Sequence, residues 1–425
     1  MPTRARAAGL LCALAAAVVT GCGTNATVQG GNNAVSATTL TVYSDLPLFG
    51  AGAGQAADIA NGEALALYDA GGHVGTLHVS LASLNDAADP ITGTTATSQT
   101  GFSAHTASSD LSTVAYIGDL DSAATAISLP LNNENNILQV SPGSTYVGFT
   151  DSNPFASTGN PSYFYPNGAR TFARLVPSDV AEAEATVSYM RSLGVRRLEV
   201  LGDNSDPPYD STIADLVASD APAAGIAVVG HRSGIDTQTN TRPAGYASIA
   251  AAVGAAHADA VLLGGVPNGG AQALWSELHA RLPKLKLFAP STLATAAFLR
   301  GVAGVRGAAN ATYVTSPILE PAQYPASGQR VFAEYRRLFP GTAPTAYALY
   351  GYEAMADVLR SIRLAGRQAA NRSASALVIA FFHLGEIHGV IGDYRINANG
   401  DTSLDSFDGY RVSAAGTLVL ARRIS

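Results

Sequence analysis

The sequence predicts an α/β protein of two lobes, each built on a doubly wound parallel sheet. Short β-branched runs alternate with amphipathic stretches along most of the chain, which is typical of strand-helix-strand units. This alternation stops in a segment rich in Pro, Gly, Asn and Tyr, residues 153–168, and then starts again. The length of 425 residues also favours two lobes, since a single core rarely serves more than about 250–300 residues.

The first lobe begins with four predicted strands that alternate with three helices. The strand runs are short and rich in Val, Ile, Leu and Thr, as expected for strands buried on both faces. We predict strands over residues 40–44, 77–84, 113–117 and 137–140. We predict helices near residues 55–70 and 123–135, with a polar helical stretch between the second and third strands.

The second lobe repeats the alternation with helices and strands of similar length. Helices are predicted over residues 179–193, 211–224, 246–256 and 270–282. Strands are predicted over residues 197–201, 226–230, 260–263 and 285–288. Two such lobes leave a cleft between their strand ends, which is where open α/β sheets bind ligands.

The N-terminus has the pattern of a bacterial lipoprotein signal. Arg4 and Arg6 precede an apolar segment, residues 9–19, and Val-Thr-Gly before Cys22 forms a small-residue cleavage site. We expect residues 1–21 to be removed, Cys22 to be lipidated and residues 22–38 to act as a flexible tether. An ordinary signal peptide or a short transmembrane anchor is the alternative. The prediction is an exported protein held to the outer face of the membrane only through its lipid.

The composition argues against several other classes of function. Acidic residues outnumber basic ones, 32 to 25, and no basic cluster could follow a nucleic-acid backbone. Hydrolase and metal signatures such as G-x-S-x-G, H-E-x-x-H and C-x-x-C are absent. Gly50, Gly52 and Gly54, with Asp86 after the next strand, superficially resemble a dinucleotide-binding motif. Their spacing, however, does not match the G-x-G-x-x-G pattern. We expect no enzyme activity, no cofactor, no metal and, at residues 397–401, a hairpin turn rather than a calcium loop.

Two loops at the ends of adjacent predicted strands carry the candidate binding residues. The first leads into a helix at Ser122, where a hydroxyl and free N–H groups can hold a carboxylate. The second, residues 141–145, has Gly143, which would let a ligand approach the backbone, and Thr145, which can donate and accept. The alternative is that Ser122 is only an N-cap and the second loop only a turn.

Residues 116–150, YIGDLDSAATAISLPLNNENNILQVSPGSTYVGFT, resemble the branched-chain amino acid binding proteins of ABC transporters, which have the type I periplasmic-binding fold. The resemblance continues in order through residues 171–179, 200–215, 259–268, 347–355 and 391–401. It implies a solute-binding protein that passes an amino acid of the branched-chain type, or a related small polar solute, to ABC permease subunits. The same fold also serves as ligand-binding sensor domains and as amide or urea binders.

The resemblance also implies a three-strand hinge between the lobes. The crossings are expected near Leu175, Pro317 and Gly392. Lobe one would then comprise residues 39–175 plus 318–391, and lobe two residues 176–317 plus 392–425. Such a hinge restricts motion to opening and closing over the ligand.

Relatives use positions matching Ser122, Gly143 and Thr145 for the carboxylate and amine of the ligand. Tyr209 matches a tyrosine that faces the cleft from lobe two, although it could be a hydrophobic staple of its helix. Phe49 matches a residue of the first cleft loop, although a core role is the alternative.

This sequence departs from its relatives at two lobe-two positions. Many relatives carry an acidic residue, paired with the ligand's ammonium, where this chain has Ser291, and Val266 stands where an aromatic residue is frequent. A buried ammonium needs an opposite charge. Asp121 or Asp206 would have to supply it, or the ligand lacks a free amine.

Overall fold

The computed structural model describes residues 39–88, 96–205, 209, 211–238, 243–371 and 373–424. The predicted signal peptide, the tether, Cys22 and Asp206 lie outside these residues.

The described chain alternates strands and helices as the sequence predicts. The strands are β1 (Thr39–Leu46), β2 (His73–Val74), β3 (Leu77–Asn85), β4 (Thr113–Ile117), β5 (Leu138–Ser141), β6 (Phe172–Arg174), β7 (Arg197–Asp203), β8 (Ala227–Ile235), β9 (Ala260–Gly264), β10 (Lys286–Ala289), β11 (Thr312–Ser316), β12 (Ile387–His388), β13 (Asp393–Tyr394), β14 (Phe407–Val412) and β15 (Leu418–Ile424).

The helices cover the sheets and include every helix that was predicted. They are α1 (Ala53–Asp69), α2 (Ala96–Ser109), α3 (Ser122–Glu134), α4 (Asp179–Ser192), α5 (Thr212–Asp220), α6 (Pro243–Ala255), α7 (Gly269–Arg281), α8 (Ala296–Ala303), α9 (Ala308–Ala311), α10 (Ala326–Leu338), α11 (Tyr347–Ala365), α12 (Arg367–Ala370) and α13 (Ala374–Phe382). None of the helices in the described residues combines the length and apolarity needed to cross a bilayer.

The first sheet has the strand order β2-β3-β1-β4-β5-β6. Its pairs are parallel except for the short β2–β3 hairpin. Every residue of β4 is buried, as expected for a central strand covered on both faces. Helices α1, α10, α11 and α13 pack with this sheet in one continuous core.

The second sheet has the order β15-β14-β11-β10-β9-β7-β8. A core lies on each face, one around Trp275 of α7 and the other around Tyr189 of α4. The strands from β7 to β11 pair in parallel, but β14 is antiparallel to both β11 and β15. The second sheet is therefore mostly parallel, with an antiparallel edge formed by β14 and β15. A tight turn after Ser413 joins β14 to β15, and strands joined by a tight turn must run antiparallel.

Three connections link the two sheets, and Arg174 ties two of them together. Its side chain is fully buried, and its Nε lies 2.7 Å from the Asp401 carboxylate. One of its terminal nitrogens donates to the Tyr146 carbonyl at 2.8 Å. Residues 397–401 form a turn closed by an Asn397 N–H bond to the Asp401 carbonyl, as predicted. The first and third connections are thus held side by side.

The packing favours a later third lobe boundary than the one near Gly392. Tyr394 belongs to the core of the first sheet, and Leu404 packs against that core, whereas Phe407 belongs to a core of the second sheet. We therefore propose the boundary between Leu404 and Phe407, with the other two crossings left near Leu175 and Pro317.

Candidate functional site

A cavity of about 590 Å³ lies between the carboxyl ends of the strands of the two sheets. Loops that follow β1, β3, β4 and β5 line one side, and loops that follow β7, β9 and β10 line the other. The parallel strand order creates this arrangement, because the carboxyl ends of neighbouring strands meet at one edge of each sheet. The volume lies in the range of cavities that hold small organic molecules.

The first wall of the cavity is the start of α3. Asp121 is the N-cap, and its Oδ1 accepts the Ala124 N–H at 2.9 Å. The alternative that Ser122 caps this helix is therefore wrong. Ser122 is the first helical residue, and its Oγ accepts the Tyr146 N–H at 3.2 Å. Its hydroxyl hydrogen can then be donated to a group in the cavity that it lines.

The loop after β5 is a turn and also lines the cavity. Ser141 Oγ donates to the Asp119 carbonyl at 2.6 Å and accepts the Ser144 N–H at 2.9 Å. A Cβ at Gly143 would lie 2.5 Å from the Leu120 carbonyl oxygen. The glycine is thus required by the close packing of the two binding loops, in addition to any approach of a ligand.

Thr145 connects the cavity to the first crossing between the lobes. Its carbonyl accepts the Asp179 N–H at 2.9 Å, and its hydroxyl lies near the Asp179 carboxylate. Burial raises the pKa of Asp179 to about 6, while the Thr145 hydrogen bond and the Arg174 charge oppose the rise. A ligand that hydrogen bonds to Thr145 would therefore lie next to the first connection between the two sheets.

Aromatic contacts join the lobes beside the cavity. The Tyr209 ring packs edge-on against Tyr146 at 5.1 Å and stacks with Phe149 at 6.3 Å. Tyr209 lines the cavity and packs on lobe-one rings, so its contacts favour the cleft position over that of a helix staple. Phe49 also lines the cavity and is 52% exposed, which excludes the alternative of a core residue.

An acid that the sequence did not single out lies behind Ser291 of the lobe-two wall. Ser291 donates its N–H at 2.6 Å and its hydroxyl at 2.7 Å to the Glu182 carboxylate. Burial raises the pKa of Glu182 to about 8, although the Ser291 hydrogen bonds oppose this. A glutamate in the first turn of a helix such as α4 is common, so nothing in the sequence indicated its burial.

Asp86, at the end of β3, is the other residue that sequence reasoning missed. It lines the cavity and is only 3% exposed. Neither of its carboxylate oxygens has a hydrogen-bond partner among the described residues. Burial and the charges of Asp119, Asp121 and Asp45 raise the pKa of Asp86 to about 10. In the sequence, Asp86 is notable only as part of a motif that superficially resembles a dinucleotide-binding site.

The structure brings together all the predicted ligand-binding residues. Every one of them lines the single cavity described above: Phe49, Asp121, Ser122, Gly143, Thr145, Tyr209, Val266 and Ser291. Asp206 lies outside the described residues. The described lining contains carboxylates and hydroxyls but no Lys, Arg or His. Such a lining offers several hydrogen-bond acceptors and, through its hydroxyls, several donors.

Comparisons with known proteins identify the family. A family model described as periplasmic binding protein matches residues 46–405. None of the curated proteins matches the chain significantly.

Solved structures share the fold at low sequence identity. An ABC transporter substrate-binding protein from Desulfitobacterium hafniense, solved with leucine, is 18% identical with a TM-score of 0.70, covering 90% of this chain and 100% of its own. A leucine-binding protein from Thermotoga maritima is 17% identical with a TM-score of 0.71, covering 91% and 99%. A solute-binding protein from R. palustris, solved with benzoate, is 15% identical with a TM-score of 0.68, covering 91% and 96%. At these identities the likeness concerns the fold alone.

Proposed function

Because the chain belongs to the periplasmic binding protein family, we propose that it is an exported, lipid-anchored solute-binding protein of an ABC importer. It captures a small polar solute, an amino acid of the branched-chain type or a relative, and presents it to the permease. The observation that carries this function is the cavity between the lobes, where Ser122 at a helix start and Thr145 on the neighbouring loop lie together. Hydroxyls beside a helix N-terminus suit a carboxylate.

The permease recognises the closed form of the protein, in which the two lobes have come together over the solute. Lobe one supplies Ser122, Gly143 and Thr145, which hold the polar head of the solute. Lobe two then closes, and Tyr209 and Ser291 complete the wall. The hinge bonds around Arg174 keep the connections together, so the motion is a rotation of one lobe against the other.

A solute without an amine is a second candidate, which the replacement at Ser291 favours. The R. palustris protein of the same fold was solved with benzoate, a carboxylate without an amine. In this case Ser122 and Thr145 would hold the carboxylate and no acid would need to pair with an ammonium.

A thermal-shift screen tests the proposed function. The purified protein is heated with amino acids, their amides, urea-like compounds and small carboxylates. A true solute at one hundred times its Kd should stabilise the fold by about 2.7 kcal/mol. We expect an α-amino acid to raise the melting temperature. If no compound of these classes does so, the protein is not a binder of small polar solutes of this kind.

A further inference from the structure

Asp86 lines the cavity as a buried carboxylate without a hydrogen-bond partner among the described residues. This destabilises the protein as long as no ligand binds it. A buried carboxylate normally accepts several hydrogen bonds. Both oxygens of Asp86 accept none from the described residues, although its side chain is almost fully buried. An unpaired buried polar group destabilises the fold. The position of Asp86 in the cavity lining points to a partner that comes with the solute.

Two further carboxylates stand beside Asp86. One oxygen each from Asp45, Asp86 and Asp119 lies within 4.8 Å of the other two. The Asp119 side chain is fixed by contacts within lobe one. Ser128 donates to Oδ2, and the Tyr116 hydroxyl lies 3.0 Å from Oδ1. Of the Asp45 oxygens, Oδ2 accepts the Tyr116 hydroxyl at 2.7 Å, whereas Oδ1 has no partner among the described residues. Among the described residues, the two Asp86 oxygens and Asp45 Oδ1 therefore have no hydrogen-bond partner.

The neighbouring acids favour a positive charge at Asp86, which either a proton or a cation can supply. Burial first, and then the charges of Asp119, Asp121 and Asp45, raise the pKa of Asp86. Burial likewise raises the pKa of Asp45 to about 7. Near neutral pH the ligand-free protein therefore keeps a proton on Asp86. A cation could replace that proton and restore the charge of the carboxylate.

We propose that the solute carries a cationic nitrogen, an ammonium or guanidinium group, which binds Asp86 against the Asp45–Asp119 cluster. This deepens the proposed function and rests on it. An ammonium has three N–H donors, which equals the number of unsatisfied oxygens. The cavity leaves room for an organic body that extends from Asp86 toward Ser122 and Thr145.

A metal ion fits this site less well than an organic cation. Calcium takes six to eight oxygen ligands. Asp119 Oδ2, however, already accepts the Ser128 hydroxyl hydrogen and lies 3.4 Å from Gln139 Nε2, and Oδ1 lies 3.0 Å from the Tyr116 hydroxyl. A single ion would also leave most of the cavity unfilled.

The lobe-two acid is less suited to the cation than Asp86 is. Glu182 already accepts two hydrogen bonds from Ser291. It is fully buried and is not among the residues that line the cavity. Glu182→Gln is therefore a matched comparison for Asp86→Asn, since each removes one buried carboxylate near the site.

Sets of probes that share one carbon skeleton test the inference. Leucine is compared with 4-methylpentanoate, which lacks the amine, and with 3-methylbutan-1-amine, which lacks the carboxylate. Phenylalanine and arginine are compared with their counterparts in the same way, and benzoate, Ca²⁺ and Mg²⁺ are added alone. We expect every compound that stabilises the protein to carry a cationic nitrogen. Loss of that nitrogen should lower affinity roughly 100-fold.

Binding to the variants Asp86→Asn and Glu182→Gln shows which carboxylate the cationic nitrogen of the solute contacts. Asp86→Asn should weaken binding of the amine roughly 100-fold in calorimetry, and Glu182→Gln less than about tenfold. Because Asp86 must lose its proton to pair with the nitrogen, affinity of the wild type should rise with pH between 6 and 9. Titrations in buffers of different ionisation enthalpy should show proton release, which Asp86→Asn removes.

Thermal melts of the ligand-free protein distinguish a ligand-binding role of Asp86 from a purely structural one. The pKa of Asp86 is higher in the folded than in the unfolded chain, so the folded state binds the extra proton and loses stability as pH rises above about 4. Asp86→Asn should therefore melt at or above the wild-type temperature, and its advantage should grow from pH 5 to pH 9. A lower melting temperature that does not change with pH would mean a structural role.

Three results would overturn the inference while leaving the proposed function intact. They are stabilisation by an amine-free compound equal to that by its amine counterpart, a shift with Ca²⁺ or Mg²⁺ but with no amine, and loss of amine binding in Glu182→Gln but not in Asp86→Asn. A panel in which no compound shifts the melting temperature contradicts the proposed function and the inference with it.

Discussion

Ser122 and Thr145 show how one hydroxyl can serve the fold and the solute together. Ser122 Oγ accepts the Tyr146 N–H, and the Thr145 hydroxyl lies near the Asp179 carboxylate. Both side chains contact neighbouring parts of the fold and still line the cavity. Removal of the two hydroxyls should therefore lower both the affinity for the solute and the stability of the fold, and the affinity should fall more.

The double variant Ser122→Ala plus Thr145→Ala tests this balance. Two hydrogen bonds to a charged group are worth about 1.5 to 3 kcal/mol each, so affinity should fall by at least about 100-fold. Stability should fall by only about 1 kcal/mol for each lost internal hydrogen bond, a change of a few degrees in melting temperature. Calorimetry and thermal melts measure the two effects.

Thr113→Ala is the matched control for that variant. Thr113 lies at the start of β4, away from the cavity, and its hydroxyl donates to the Ala107 carbonyl at 2.7 Å. It should lose stability without losing affinity. Full affinity in the double variant would show that the solute does not bind these hydroxyls.

The binding residues that the sequence predicted share a local signal. Ser122 and Thr145 follow buried strands, and polar residues just after such strands are placed at the cleft by the parallel topology alone. Asp86 also follows a strand, but its meaning depends on Asp45 and Asp119, which come from other strands. No local pattern reveals that these acids lie within 4.8 Å of one another.

At the scale of elements, α1 and α11 approach each other more closely than ordinary side chains permit. A Cβ at Gly62 of α1 would lie 2.0 Å from the Ala348 carbonyl oxygen of α11. Because the obstacle is backbone, it cannot move aside as a flexible side chain could. The loop that leads into α1 carries Phe49 at the cavity, so this contact also positions part of the site.

Gly62→Ala should destabilise the protein by about 3 kcal/mol or more, since the helices must separate to admit the methyl group. Gly54→Ala in the same helix has nothing within 4 Å of the new Cβ and should be neutral or stabilising by up to about 1 kcal/mol. Thermal or denaturant unfolding compares the two. Equal stability of both variants would show that α1 and α11 are not in contact at this point.

Helices α1 to α7 and most of the parallel strands could be predicted because each is a continuous stretch with its own periodicity. The parallel strands β6 and β11 and helices α8 to α13 were not predicted. The strands of the antiparallel edge, β14 and β15, were not predicted. β15 is mostly exposed, so its residues do not form a buried apolar run. Its pairing depends on the tight turn after Ser413 rather than on the strand-helix alternation that identified the other strands.

At the scale of the whole molecule, two sheets meet at one cavity, and their contacts decide whether it is open or closed. Tyr209 of lobe two packs on Tyr146 and Phe149 of lobe one. We expect these rings to stabilise the arrangement in which the lobes close over a solute. A change at Tyr209 should therefore alter affinity without changing the core of either lobe.

Tyr209→Ala should lower affinity about tenfold, since an aromatic pair contributes about 0.5–1.5 kcal/mol beyond the area it buries. Tyr209→Phe keeps the ring and should lose less. Calorimetry gives the affinities, and small-angle scattering shows whether the Ala variant remains more open when a stabilising compound is present. Unchanged affinity in Tyr209→Ala would mean that this contact does not contribute to closure.

The central claim is that the cavity between the lobes is the binding site for a small polar solute. A crystal structure of the protein with the compound that stabilises it most tests this directly. We predict density for the compound in the cavity, with its carboxylate about 3 Å from the hydroxyls of Ser122 and Thr145 and its nitrogen at Asp86. A compound bound elsewhere, with the cavity empty, would contradict the account.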